Sequence, residues 1–227
     1  DTLAETYDAF GGNTTALIDR IDSVLHHASV LYGAQVGVRL LAQQIVIRTD
    51  ASATGYPYNA FSSYSYSAMA FKVRDVWSPG AAQPYGYAHL FTPDKIGSIA
   101  GAQVADICKR VFNPHVSSDE RASSWGWIRP GALQFDTDVK TLAHEIGHGF
   151  SISHGATEGF AGLMAPNLGL GTFQFHPVDL GLVHDWINAA TNCYVAGTSG
   201  FSAPTVASVS PNTVPIYPAI GDILLQG

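Results

Sequence analysis

The chain of 227 residues is long enough for one complete globular domain. Hydrophobic residues make up 46% and charged residues 13%, a composition that excludes disordered and coiled-coil proteins. The formal charge of -7, without any Lys/Arg run, argues against a nucleic-acid partner, and no apolar run is long enough for a membrane span.

The N-terminal part predicts a helix followed by a strand. Residues 13–32 carry apolar side chains at helical spacing, with Asn13 or Thr14 as the N-terminal cap and Gly33 as the stop. Residues 35–48 alternate apolar positions and then contain a β-branched run, which predicts a strand.

The middle of the chain predicts shorter elements. A second helix is expected over about 62–77, and short buried strands over 88–92 and 102–107. Residues 113–131 are polar and aromatic and predict a long loop, and Ala132–Phe135 predicts a further strand.

Two more helices follow, and then the composition changes. Asp136, Thr137 and Asp138 place acceptors and negative charge at the start of one helix, and Pro177 opens another over about 177–191. We therefore expect one large globular domain over 1–195, a Gly/Ser/Pro/Thr-rich linker over 196–203 and a strand-like tail over 204–227. The tail resembles the start of an immunoglobulin-like TIG domain, but it is too short to form a complete one.

The segment from His144 to His148 has the pattern HExxH inside the predicted helix. Residues four apart lie on one face of a helix, so the two imidazoles can bind one metal ion. Zinc suits imidazole ligands, and Glu145 beside the first ligand can contact a metal-bound water without binding the metal. The alternative is two surface histidines on an ordinary helix.

His154 is a candidate third ligand, six residues after His148. The chain has to leave the helix and turn back to bring it to the same ion, and Gly147 and Gly149 weaken the helix at this point. Three protein ligands leave a position open for water, as in catalytic rather than structural zinc sites.

These residues resemble the metzincin zinc proteases, whose pattern is HExxHxxGxxH followed by a methionine turn. Met164, in Gly162-Leu163-Met164-Ala165-Pro166, is similar to that methionine. Ser151 departs from the pattern, because it stands where the family has a glycine that makes a tight turn. A non-glycine residue there has to adopt a different turn or accept backbone strain.

Softer matches over about residues 7–195 resemble the adamalysin/reprolysin branch, including its bacterial members. They are the run Gly11–Thr15 before the first helix, His89–Thr92, and the stretch from Ile96 to Cys108. The resemblance implies an α+β fold of the α/β/α metzincin type. It has a twisted mixed sheet, a backing helix, an active-site helix and a small C-terminal subdomain with one helix.

The two cysteines, Cys108 and Cys193, match no CxxC spacing and can be two free thiols or one long-range disulfide. The branch links a cysteine at the first position to one past the last helix. The resemblance therefore implies a Cys108–Cys193 disulfide that holds the C-terminal helix.

The resemblance also implies a function: a secreted, monomeric endopeptidase with one catalytic zinc, which acts on proteins or peptides. His144, His148 and His154 would hold the metal, and Glu145 would be the general base. The substrate would lie along an edge strand near Ala132–Phe135, with a pocket lined by Phe173 and Phe175. Calcium is also found in this branch, but its ligands are not evident in this sequence.

The main alternative is a metzincin scaffold that binds a partner without cleaving it, because Ser151 disturbs the site. The TIG-like tail is compatible with such an adhesion role. The low Lys content and the many Ser, Thr, Gly and Tyr residues favour an extracellular protein under either interpretation.

Overall fold

The structure is a computed structural model that describes residues 1–42, 44–59, 65–77, 87–94, 101–104, 107, 111–112, 119–120, 122–154, 162–166 and 172–189. Several predictions from the sequence lie outside these ranges: the linker 196–203, the tail 204–227, and both Cys108 and Cys193.

Within these ranges three helices come first, five short strands follow, and two further helices end the described part of the chain. The helices are α1 (Ala4–Ala9), α2 (Thr14–Val36), α3 (Tyr66–Trp77), α4 (Phe135–Gly149) and α5 (Pro177–Ala189). The strands are β1 (Tyr87–Thr92), β2 (Gly101–Val104), β3 (Val111–Phe112), β4 (Asp119–Glu120) and β5 (Ala122–Trp127). None of the described helices is both long and apolar enough to cross a membrane.

Three of the strands form a mixed sheet in the order β1-β5-β2, as the predicted fold class requires. β5 pairs in parallel with β1 and antiparallel with β2, and Gly101 of β2 lies opposite Gly126 of β5. β3 and β4 form a separate antiparallel pair. The prediction of one long loop over 113–131 was therefore wrong, because the central strand of the sheet begins at Ala122.

Helices cover both faces of this sheet. On one face, apolar side chains of β1 and β5, such as Leu90 and Trp125, pack against Met69 and Val73 of α3. On the other face lies α4, and α2 packs against α4 from the far side. This arrangement confirms the α/β/α layering, with α2 as the backing helix and with α4, which carries the HExxH segment, against the sheet.

Facing glycines let α4 approach the sheet closely. A Cβ atom added at Gly126 would lie 2.9 Å from Cγ2 of Thr141, and one added at Gly101 would lie 2.5 Å from Oε1 of Glu145. Both distances are shorter than real Cβ contacts, so a larger residue at either position would displace the Glu145 or Thr141 side chain of α4.

α2 begins as predicted, with the Asn13 side chain accepting a hydrogen bond from the Ala16 amide. The predicted stop at Gly33 was wrong, because the helix continues to Val36 and ends at Gly37, whose φ is 71°. Burial of Val36 offsets the cost of a glycine inside a helix, about 1 kcal/mol. Gly37 supplies the left-handed conformation of a helix C-terminus.

The strand predicted over 35–48 was also wrong. Its first residues belong to α2, and the described residues that follow lie outside the named strands. Val38, Leu40 and Ile47 are buried in the main core. Burial alternates only over residues 37–40, whereas Ile45, Val46 and Ile47 are all buried. Neither pattern requires the hydrogen bonds of a sheet.

The segment before α4 differs from its predicted strand. Ala132–Gln134 is a short 3-10 helix, and Phe135 is the first residue of α4. The predicted helices over 62–77 and 177–191 are confirmed in their described parts as α3 and α5. The strand predicted over 102–107 is β2, which begins at Gly101 and ends at Val104.

Asp138 anchors the first turn of α4 to its surroundings. Its buried carboxylate accepts hydrogen bonds from Arg20 of α2, at 2.6 Å, and from the backbone amide of Arg129, at 3.1 Å. The Arg129 guanidinium adds two longer contacts of 3.3 Å. The helix that carries the candidate ligands is therefore fixed at its start by residues from two other segments.

Candidate metal centre

α4 brings the first two candidate ligands together. His144 and His148 are one helical turn apart, and their Nε2 atoms lie 3.0 Å from each other. His144 is buried and His148 is half-buried, so both side chains lie at the boundary between core and solvent.

After α4 the chain reverses direction and brings the third candidate ligand, His154, to the first two. Phe150 and Ile152 are buried in the core, and Ser151 between them is exposed with a φ of 63°. Its amide donates to the His148 carbonyl at 2.9 Å, which closes the turn. Ser151 thus adopts the left-handed conformation of the glycine that it replaces, and the turn is made with a serine.

His154 completes a triangle of ring nitrogens. Its Nε2 lies 2.9 Å from Nε2 of His144 and 3.1 Å from Nε2 of His148. The sequence-predicted ligand set is therefore brought together in space. Among the described residues, His144, His148 and His154 form a cluster whose ligand atoms lie close enough together to hold a metal ion.

Hydrogen bonds fix which ring nitrogens face one another. Nδ1 of His144 donates to the Leu163 carbonyl at 2.8 Å, and Nδ1 of His148 donates to the Ile152 carbonyl at 2.6 Å. In a neutral imidazole the other nitrogen, Nε2, then carries only a lone pair. Two Nε2 lone pairs therefore lie close together with no proton between them.

Protonation of the imidazoles does not remove the repulsion between these lone pairs near neutral pH. Burial first, and the repulsion between the protonated forms of His144 and His148 second, lower the pKa of His144 to about 3. Burial also lowers the pKa of His148 and of His154. All three rings are therefore neutral near pH 7, and the Nε2 lone pairs of His144 and His148 are directed at one point beside Nε2 of His154, which favours a bound cation.

The donor set fits zinc. Three nitrogens separated by 2.9–3.1 Å can all contact one ion at the usual Zn–N distance of about 2.0–2.1 Å. Imidazole nitrogen is a ligand that zinc prefers, and carbonyl partners at Nδ1 are the usual outer support of such ligands.

Glu145 lies beside the edge of the sheet, next to Gly101 of β2. Its side chain is 3% exposed, and its Oε2 atom has no hydrogen-bond partner among the described residues. Burial raises the pKa of Glu145 well above its usual value. A buried carboxyl with an unpaired oxygen is suited to accept a proton.

Met164 lies beneath the helix that carries the ligands. It is fully buried, and a Cβ atom added at Gly147 would overlap its Sδ atom. Gly147 is therefore needed for the close approach of Met164, which places the predicted methionine turn directly against α4.

Comparison with known proteins agrees with this geometry. The sequence profile of Metallo-peptidase family M12 matches residues 2–162, which is more than half of the chain and includes all three histidines and Glu145. The chain belongs to this family.

A solved structure similar to this M12 metallopeptidase is that of archaemetzincin from Methanopyrus kandleri. The two sequences are 14% identical, with a TM-score of 0.46, and the match covers 74% of this chain and 88% of the archaemetzincin chain. No curated protein sequence matches this chain.

In this M12 metallopeptidase the two predicted pocket residues differ from each other in burial. Phe175 is buried in the core against the ring of Tyr32, at 5.2 Å between ring centroids. Phe173 is 37% exposed, and Nζ of Lys140 lies 4.8 Å from its ring centroid. The Gln35 side chain bonds the backbone of both residues and fixes this segment to α2. A substrate pocket here stays a prediction.

Sequence reasoning missed several residues that shape the site. Tyr32 and Tyr87 each donate a hydrogen bond to a backbone carbonyl of α4. Gly101 leaves the space for Glu145, and no feature of the sequence alone distinguishes it from other glycines. Tyr32 lies near the end of the first helix, and its contact with α4 follows only from the fold.

Proposed function

We propose that this M12 metallopeptidase is a secreted zinc-dependent endopeptidase, in which His144, His148 and His154 bind the metal and Glu145 is the general base. The observation that carries the proposal is the triangle of Nε2 atoms with sides of 2.9–3.1 Å. Two of these rings are oriented by Nδ1–carbonyl hydrogen bonds, so their lone pairs are directed at one point.

A bound zinc would supply a Lewis acid that polarises the scissile carbonyl and lowers the pKa of water. The chain supplies the proton transfers. Glu145, whose buried Oε2 atom has no hydrogen-bond partner among the described residues, accepts a proton from the attacking water at a carboxylate oxygen and delivers it to the leaving amine. No serine or cysteine nucleophile is required.

For the substrate path we propose β2. Among the described strands β2 pairs only with β5, so its other edge can add an extended peptide. Gly101 of this strand lies against Glu145, so a peptide on β2 would pass the general base. This proposal replaces Ala132–Phe135, which forms helix and not a strand.

Secretion is proposed on composition and on the resemblance to the adamalysin/reprolysin branch. The predicted disulfide between Cys108 and Cys193 belongs to this part of the proposal, because such bonds persist in oxidising compartments. Peptide mapping of the secreted protein with and without reduction would test the pairing.

The central experiment compares wild type with Glu145→Gln on a mixture of unfolded proteins, with zinc content measured on the same samples. We expect about one zinc per chain in both and a loss of roughly 10²–10⁴-fold in the rate for the variant. Glu5→Gln is the matched control, because Glu5 is an exposed glutamate of α1.

Each result has one interpretation. Cleavage by wild type that is lost with chelator and in Glu145→Gln supports the endopeptidase. Zinc in both proteins without any cleavage supports the scaffold that binds without cutting. Absence of zinc from both contradicts the ligand set.

A further inference from the structure

The last turn of α4 is intrinsically weak. It contains Gly147 and Gly149, one on each side of His148. A side chain at either position would force a buried neighbour to move, because a Cβ atom at 147 would overlap Met164 and one at 149 would lie 2.6 Å from Cγ1 of Ile107. Glycine favours the unfolded over the helical backbone, so this turn needs support from outside the helix.

Two tyrosines from different elements contact this part of the helix. Tyr32 of α2 donates its hydroxyl to the Ala143 carbonyl at 2.7 Å. Tyr87 of β1 donates its hydroxyl to the Glu145 carbonyl at 2.9 Å. In an α-helix these carbonyls also accept from the amides four residues later, which are those of Gly147 and Gly149.

The two contacts bracket the ligand-bearing turn. One carbonyl belongs to the residue before His144 and the other to Glu145. Their helical hydrogen-bond donors are the amides of Gly147 and Gly149, the two residues that flank His148. Burial raises the pKa of Tyr32 and of Tyr87 well above the usual value, so both hydroxyls stay protonated and act as donors.

We propose that Tyr32 and Tyr87 are positioning residues that form a clamp on the last turn of α4. The clamp holds the spacing between His144 and His148, and it holds the backbone of Glu145. This inference deepens the proposed function and rests on it, because the ligands are those of the proposed zinc site. The phenol rings also contribute packing, which a phenylalanine would keep. We therefore define the clamp as the two hydroxyl groups alone.

The test uses Tyr32→Phe, Tyr87→Phe and the double variant, which remove the hydroxyls and keep the rings. Tyr58→Phe is the matched control, because Tyr58 is a buried tyrosine whose hydroxyl donates to Asp1 at 2.8 Å in the core on the other face of the sheet. Three quantities are measured: amide hydrogen exchange at 147–149 in metal-free protein, the zinc dissociation constant, and kcat and KM at saturating zinc.

We expect each single variant to raise the exchange rate at 147–149 and the zinc dissociation constant by about 3–10-fold, and the double variant by about the product of the two. We expect kcat to fall by a similar factor while KM changes less than about twofold. Tyr58→Phe should leave the exchange at 147–149, the zinc affinity and kcat at wild-type values.

Unchanged exchange and zinc affinity in the tyrosine variants would overturn the clamp. Equal effects in Tyr58→Phe would also overturn it, because they would show general loss of stability. If wild type binds no zinc, the proposed function fails, and exchange at 147–149 in the metal-free proteins still decides whether the hydroxyls hold this turn.

Discussion

Ser151 carries backbone strain at the point where the third candidate ligand is brought to the site. Its φ of 63° is the only positive value among described residues other than glycine. The left-handed region costs a residue with a Cβ atom about 1–2 kcal/mol, and glycine avoids most of this cost. The surrounding residues hold the turn in place, because Phe150 and Ile152 on either side are buried.

We therefore expect Ser151→Gly to raise the free energy of unfolding of metal-free protein by about 0.5–1.5 kcal/mol. Urea denaturation in the presence of chelator measures this quantity. Ser153→Gly is the control, because Ser153 is exposed in the same turn without a positive φ, and there glycine should be neutral or destabilising. A destabilised Ser151→Gly variant would contradict the strain argument.

At the scale of the element, α4 is held at both ends by side chains from elsewhere in the chain. Asp138 fixes the first turn, where its buried carboxylate bonds Arg20 and Arg129. Burial raises the pKa of Asp138 more than the two arginines lower it. We therefore attribute its stabilising effect to the hydrogen bonds it accepts, including that of the Arg129 amide, and not to charge attraction alone.

Asp138→Ala should lower the free energy of unfolding by about 2–4 kcal/mol, because it leaves several donors without their acceptor. Asp136→Ala in the same turn is the control, since Asp136 is exposed and contributes only its interaction with the helix dipole, about 0.3–1 kcal/mol. Denaturant titrations of both variants measure the difference. Equal effects of the two substitutions would disprove a specific anchor.

Elements with a strong internal pattern were predictable from the sequence, and those defined by their neighbours were not. α2 and α4 show apolar residues at helical spacing, and the HExxH pattern predicted two candidate ligands on one helix face. β5 reads Ala-Ser-Ser-Trp-Gly-Trp, with no β-branched residue, and becomes a strand because it pairs on both sides with β1 and β2. Its partners lie elsewhere in the chain, so no local window contains the signal.

The same distinction applies to the candidate site. The ligand triangle was predictable because its spacing follows from one helix and one turn. The hydrogen bonds that Tyr32 and Tyr87 donate to α4 were not predictable, because these residues belong to α2 and β1, which are distant from α4 in the sequence. The contact of Gly101 with Glu145 likewise depends on how far the sheet lies from α4.

For the whole molecule, the metal should contribute to folding stability as well as to chemistry. The three histidines come together only in the native state, and an ion that binds only there stabilises it according to its concentration and affinity. Zinc at one hundred times its dissociation constant adds about 2.7 kcal/mol. In its absence the histidine lone pairs face one another without a cation.

We expect chelation to lower the unfolding temperature by about 5–10 °C in a chain of this size, and added zinc to restore it. Scanning calorimetry with and without chelator measures the shift. In His148→Ala, which lacks one of the three nitrogens, the unfolding temperature should respond little to chelator. An unfolding temperature in wild type that is independent of chelator would show that no metal is bound to the native state.

The facing glycines Gly101 and Gly126 also limit how this protein can diverge. A single added methyl group at either position would displace a side chain of α4, that of Glu145 or of Thr141, so we expect substitutions at these two sites to disturb the candidate site. Inherited changes in cleavage preference must therefore accumulate elsewhere. Directed-evolution libraries aimed at a new substrate should leave the glycine pair untouched and diversify surface positions instead.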